Sequence, residues 1–140
     1  MKKKAWAQWS GSVKEGGGTI STETGVLKDA PYGFKSRFEN GKGTNPEELI
    51  GAAHAGCFSM ALSSMLGAEG FTPEKIETHA TITLDKSDDG FAITASHLDV
   101  TAKIPGIDKA KFDAIANKAK AGCPVSKLLK AEISMDAKLV

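Results

Sequence analysis

Two cysteines, Cys57 and Cys123, stand far apart in this sequence and have the widest chemical range of any residues in it. A thiol with an unshifted pKa of about 8.5 is only a few per cent thiolate at neutral pH. Cys57 lies in a stretch from Leu49 to Ala68 that carries no fixed charge, so a cation must be brought to it before it can react. Glu47 stands about three turns earlier, roughly 80° away around an ideal helix and about 15 Å along it. Those two side chains do not simply touch, and a third residue has to bridge them. Arg37 is the attractive candidate, because a guanidinium can take a carboxylate with one edge and still present donors to a thiolate or a peroxide oxygen. The competing reading of Cys57 is a buried, unreactive thiol on a packed helix, since free cysteine is among the most buried residue types.

Cys123 precedes Pro124, a residue suited to the first position of a helix. The positive end of a helix dipole stabilises a thiolate, so local electrostatics favour Cys123 as the first to attack, although the residues alone leave the order open. A plain capping role explains the same position. His54 and Cys57 form His-x-x-Cys on one helical face; with Cys123 they supply three ligands of a metal site but not the fourth. His79 and His97 fall in strand patterns, where packed or surface histidines are the usual case. Gly16-Gly17-Gly18 lacks the strand and helix context of a phosphate loop and reads as a turn.

These residues need a scaffold, and 140 of them suit a single domain over 1–140. An apolar share of 41% with 15 glycines argues for a packed core and against disorder. Eighteen Lys and Arg against 17 Asp and Glu leave +1, so no broad basic field exists to grip nucleic acid or an anionic membrane. Two cysteines exclude a disulfide scaffold, a four-cysteine zinc site and a local Cys-x-x-Cys pair. The basic start Met1-Lys2-Lys3-Lys4 is followed by Gln8, Ser10 and Gly11 rather than an apolar run, and a cytoplasmic protein is expected.

Ala5 to Trp9, Thr19 to Thr22 and Val26-Leu27 read as short strands of an antiparallel meander. Phe34 to Phe38 alternates aromatic and cationic residues like a strand, with Lys35 and Arg37 on one face. Asn45-Pro46-Glu47-Glu48 marks the start of the longest helix, expected to end at Gly70 and Pro73. It is apolar all round, and Gly51, Gly56, Ser59, Ser63 and Ser64 dilute it enough to favour a central helix wrapped by sheet over a membrane span. Ile76, Thr78, Ala80, Ile82 and Leu84 share one face of a strand that turns at Asp88-Asp89-Gly90. The returning strand changes parity between Phe91, Ile93, Ala95 and Leu98, Val100, Ala102, which predicts a bulge near Ser96 and His97. A helix from Asp108 burying Phe112, Ile115, Ala116 and Ala119, a short helix from Cys123-Pro124 to Leu129, and a strand through Ile133, Met135, Ala137 and Leu139 complete an α+β order.

Pro31-Tyr32-Gly33-Phe34, the run from Gly43 through Cys57 to Ala61, and Ala121-Gly122-Cys123-Pro124-Val125-Ser126 together resemble the OsmC/Ohr family over essentially the whole chain. The likeness is nearest the OsmC branch, whose arginine falls in a Tyr-Gly-Phe-x-x-Arg-Phe segment, here at Arg37. Gly56 departs modestly, since an alanine before the reactive cysteine is frequent in relatives. The resemblance implies an OsmC-like α+β fold in which antiparallel sheets from both subunits of an intertwined homodimer wrap two long central helices, with active sites where subunits meet. It implies thiol-dependent reduction of organic hydroperoxides, and more weakly of hydrogen peroxide, in oxidative or osmotic stress defence, without haem, flavin or metal. Cys57 would be the peroxidatic nucleophile, Cys123 the resolving cysteine, and Arg37 with Glu47 the activating pair; an external dithiol such as a lipoyl group or thioredoxin would reset the enzyme. The alternative is a stress-associated protein that binds a small ligand or metal without turnover.

Overall fold

Gly18 sits where strands come closest in the computed structural model, which describes residues 1–140. β1 (Ala5–Ser10), β2 (Gly17–Thr22) and β3 (Ala30–Tyr32) form an antiparallel sheet in that order. Gly17 and Gly18 belong to β2 rather than to a turn. A Cβ on Gly18 would lie 2.1 Å from the Gln8 carbonyl oxygen and 2.7 Å from the Tyr32 ring, so the absence of a side chain lets Trp9 and Tyr32 meet across it at a centroid distance of 5.3 Å. Val26-Leu27 is not a strand. Thr22 turns the chain back by accepting the Leu27 N–H on its hydroxyl at 3.1 Å and donating its own N–H to the Leu27 carbonyl at 2.9 Å.

Phe34–Phe38 is a helical turn, α1, and not a strand. Residues spaced by four satisfy a helix as well as an alternation, and the Phe34 and Phe38 rings do meet, 5.0 Å apart. The deciding side chain is buried Ser36, whose hydroxyl accepts the Gly33 N–H at 2.9 Å and lies 2.8 Å from the Thr44 carbonyl.

α2 (Pro46–Ala68) begins as its capping residues predict, with Asn45 Oδ1 accepting the Glu48 N–H at 2.8 Å. It ends at Gly70, whose φ of +84° lets the Phe71 N–H return to the Leu66 carbonyl at 3.0 Å. By length and composition it could cross a membrane, and 28% of its apolar stretch is buried within the chain. Gly51, His54, Phe58, Leu62 and Leu66 form its one buried stripe. The expectation of a helix covered on every side is therefore not met within this chain: small residues make all its faces alike, and one chain covers one of them.

The chain divides into two units, Met1–Leu49 and Ile50–Val140. In the second, β4 (Lys75–Ser87) and β5 (Gly90–Lys103) form a long hairpin, and β6 (Glu132–Leu139) pairs with β5 in parallel. This sheet is mixed rather than antiparallel throughout, because α3 (Lys109–Gly122) and α4 (Pro124–Leu128) carry the chain back across before β6 begins. The predicted parity change in β5 occurs slightly earlier than Ser96. Thr83 pairs with Ala95 and Leu84 with Ile93, so Thr94 is the extra residue. The switch must be complete by Ser96, which faces inward and is fully buried.

Phe58, Leu62 and Leu66 of α2 pack with Leu98, Val100 and Ala102 of β5 and with Phe112, Ile115, Ala116 and Ala119 of α3. Asp108 caps α3, accepting the Lys111 N–H at 2.8 Å. Asp108→Ala is expected to cost about 1 kcal/mol, read as a lower urea midpoint with an unchanged slope.

Candidate active site

Cys57 lies one helical turn after His54 on α2, and Cys123 joins α3 to α4. Both thiols are free; Cys57 is half-buried and Cys123 fully buried. Folding brings these distant residues close enough that each thiol shifts the ionisation of the other. The first turn of α4 supplies donors to both sulfurs. The Val125 N–H serves Cys57 and Cys123, and the Ser126 N–H reaches Cys123 Sγ at 3.4 Å.

The two thiols are shifted in opposite directions. Burial pushes Cys57 up, the Val125 N–H opposes that, and a proton shared with Cys123 adds to the rise. Burial also works against ionising Cys123, but the Ser126 N–H and hydroxyl, Cys57 and the Val125 N–H together outweigh it and lower its pKa. The donors gathered at the start of α4 thus favour the anionic form of Cys123 more than that of Cys57. That agrees with the local electrostatics of the Cys123-Pro124 helix start.

His54 is fully buried and has both ring nitrogens occupied: Nδ1 lies 2.7 Å from Ser96 Oγ and Nε2 2.7 Å from Ser126 Oγ. The His54-x-x-Cys57 metal reading is thereby corrected, since neither nitrogen retains a lone pair directed at the sulfurs. Ser96 and Ser126 escaped the sequence reading. Ser96 did leave a signal, a small polar residue at an inward position of an apolar strand. His79 is exposed beside Glu77, 3.1 Å away. His97 donates to or accepts from Ser134 and lies near Asp99 and Asp136, at 3.4 and 3.1 Å, on the other side of that strand. His97, Asp99 and Asp136 are the side chains placed closely enough to ligate one cation.

Within the Met1–Leu49 unit, Arg37 and Glu47 form a two-pronged ion pair. Arg37 Nη2 and Nε donate to Glu47 Oε1 at 2.8 and 3.1 Å. The Glu47 side chain is 12% exposed and that of Arg37 38%, so the carboxylate is the more sheltered partner and holds the guanidinium plane in place. Arg37 also borders a pocket of about 300 Å³ walled by Trp9, Val13, Tyr32, Phe34 and Phe38. An apolar enclosure with one cationic group suits a molecule with a hydrocarbon body and a polar oxygen end.

Two neighbouring free thiols beside helix-start N–H donors, on an α+β scaffold of two small sheets, form an arrangement able to cycle between dithiol and disulfide. Residues 39–138 match the family model described as OsmC-like protein, and the chain belongs to that family. It is 63% identical to the peroxiredoxin OsmC of Escherichia coli (strain K12) over 139 residues, spanning 99% of this chain and 97% of the relative. With the organic hydroperoxide resistance protein OhrB of Bacillus subtilis (strain 168) it shares 31% identity over 123 residues, 87% of this chain and 88% of that one. The crystal structure of OhrB of Bacillus subtilis superposes with a TM-score of 0.72 at 24% identity, covering 100% of this chain and 98% of the other.

Proposed function

We propose that this protein is a cysteine-based peroxidase that reduces organic hydroperoxides, and more weakly hydrogen peroxide, in stress defence. The reading is carried by the proximity of two free thiols from distant parts of the chain, each of which shifts the ionisation of the other. Relatives bearing the names peroxiredoxin and organic hydroperoxide resistance protein support it. In the proposed cycle the Cys57 thiolate attacks the distal peroxide oxygen, the O–O bond breaks, and the alcohol departs after taking up a proton. Cys57 is left as a sulfenic acid. Cys123 attacks that sulfur, the S–S bond forms, and hydroxide leaves to become water with the proton lost by Cys123. An external dithiol then reduces the disulfide through a mixed disulfide.

Arg37, aimed by Glu47, is proposed to supply the cation that Cys57 needs. Burial raises the Cys57 pKa, and a close guanidinium would lower it by about one to three units. First attack by Cys57 then coexists with a Cys123 that is intrinsically easier to ionise and so is suited to the second step. The aromatic pocket beside Arg37 supports alkyl and aryl hydroperoxides as substrates.

The active form is proposed to be a cytoplasmic homodimer of one OsmC-like domain, residues 1–140, in which two long helices are wrapped by strands of both copies. Two observations support this assembly. α2 is uncharged from Leu49 to Ala68 yet buries only one stripe of side chains, and every residue of β1 is exposed, including Trp6 at 57%. Neither a resident cofactor nor a metal is required by the cycle.

One equivalent of cumene hydroperoxide is expected to cause a mass loss of two hydrogens and to yield a peptide crosslinked between Cys57 and Cys123. An unchanged mass with intact peroxide would instead favour ligand binding without turnover.

A further inference from the structure

The buried His54 bridges the element that carries one cysteine and the turn that carries the other. It sits on α2 one turn before Cys57, and its Nε2 meets the hydroxyl of Ser126 three residues after Cys123. Its Nδ1 meets Ser96 on β5. Ser96 and Ser126 are themselves buried, at 0% and 9% exposure, so water is a poor substitute for either bond.

Proton counting restricts how these bonds run. Burial holds the His54 pKa below its ordinary value, so the ring is neutral and carries one N–H. Ser126 has one hydroxyl proton. The Ser126 backbone N–H already reaches Cys123 Sγ at 3.4 Å, and donation of the hydroxyl proton to the same sulfur, which favours the thiolate, leaves the Ser126 oxygen as the acceptor toward His54. The His54 N–H then resides on Nε2, and Nδ1 accepts from Ser96. All four groups are satisfied by one directed chain, Ser96 O–H to Nδ1, Nε2–H to Ser126 Oγ, and Ser126 O–H to Cys123 Sγ. No other orientation lets Ser126 serve the sulfur while His54 stays neutral and both its nitrogens stay bonded.

We propose that His54 and Ser126 are positioning residues for the resolving step, orienting a hydroxyl donor onto Cys123 Sγ and holding the Cys123 turn against the helix of Cys57. The inference rests on the peroxidase reading above. It concerns the second chemical step alone, in which the Cys123 thiolate displaces hydroxide from the Cys57 sulfenic acid. The Ser126 proton is never transferred; it stabilises the attacking sulfur before the S–S bond forms and is released from that role afterward.

The test follows both steps in rapid-quench experiments with a dimedone trap and mass spectrometry. In Ser126→Ala the ratio of disulfide closure to first oxidation is expected to fall about tenfold, the weight of one hydrogen bond to a charged group, and the trapped Cys57 sulfenic acid to rise. Ser126→Thr keeps the hydroxyl and is expected to restore most of that ratio. Thermal unfolding of each variant, run in parallel, reports the structural cost, which has no reason to separate the two rates. In the reduced wild-type protein, ¹⁵N imidazole shifts are expected to place the His54 proton on Nε2. An unchanged ratio in Ser126→Ala, failure of Ser126→Thr to restore a lowered ratio, or a proton on Nδ1 would overturn the inference while leaving the peroxidase reading intact. A wild-type protein that forms neither sulfenic acid nor disulfide would overturn both.

Discussion

Cys57→Ser reduces organic hydroperoxide consumption to background, while Cys123→Ser still undergoes one oxidation but forms no intramolecular disulfide. This pair of results is the largest expected effect, because a serine hydroxyl at neutral pH lacks the anionic nucleophile that a thiolate provides. The asymmetry between the two variants is what separates the roles. In Cys123→Ser the sulfenic acid on Cys57 has lost its neighbouring thiol, so it persists long enough to be trapped or advances to sulfinic acid. Stoichiometric loss of peroxide should be seen in that variant, followed by arrest. Full steady turnover by Cys57→Ser would reverse the assignment and return first attack to Cys123, the thiol that local electrostatics favour.

Arg37→Ala slows the first oxidation by roughly ten- to a thousandfold at neutral pH, with both thiols still present, the span expected when a close cation no longer depresses a thiol pKa by about one to three units. The sign follows from the direction of the shift. Burial raises the Cys57 pKa, so without the guanidinium the reactive thiolate accumulates only at higher pH. The midpoint of the stopped-flow pH–rate profile therefore moves upward, and part of the lost rate returns in alkaline buffer. Glu47→Gln leaves the cation in place but loosens the two-pronged grip now made at 2.8 and 3.1 Å, so its effect should be smaller and should appear with little change in the midpoint. A profile in Arg37→Ala that superimposes on wild type would remove any activating role for the arginine.

Much of the scaffold was legible because local chemistry and tertiary packing agree there. Asn45-Pro46-Glu47-Glu48 starts α2, Asp108 caps α3, and Cys123-Pro124 opens α4, each through a bond made within a few residues. The inward faces of β4 and α3 were also readable, since each packs against one core and keeps one period. The segment Phe34 to Phe38 was not. Over five residues a strand alternation and a helical i,i+4 pair are the same pattern, and the arbiter was a bond from Ser36 to the carbonyl of Thr44 outside it. The parallel return of β6 was likewise hidden, because pairing direction depends on where a crossover lands.

At the site the division is sharper. Residue types and spacing alone determined that, if the two cysteines do chemistry, the fold must bring them together, since they are too distant in sequence to meet locally, and that Cys123 begins a helix. The tertiary structure decided that those thiols are neighbours, that Val125 and Ser126 point donors at them, and that His54 is closed off by Ser96 and Ser126 and so unavailable to a metal. Such facts depend on which side chains converge from α2, β5 and α4. A sequence records only neighbours along the backbone, whereas a hydrogen bond of 2.7 Å between residues on different elements exists only once the core has set their separation.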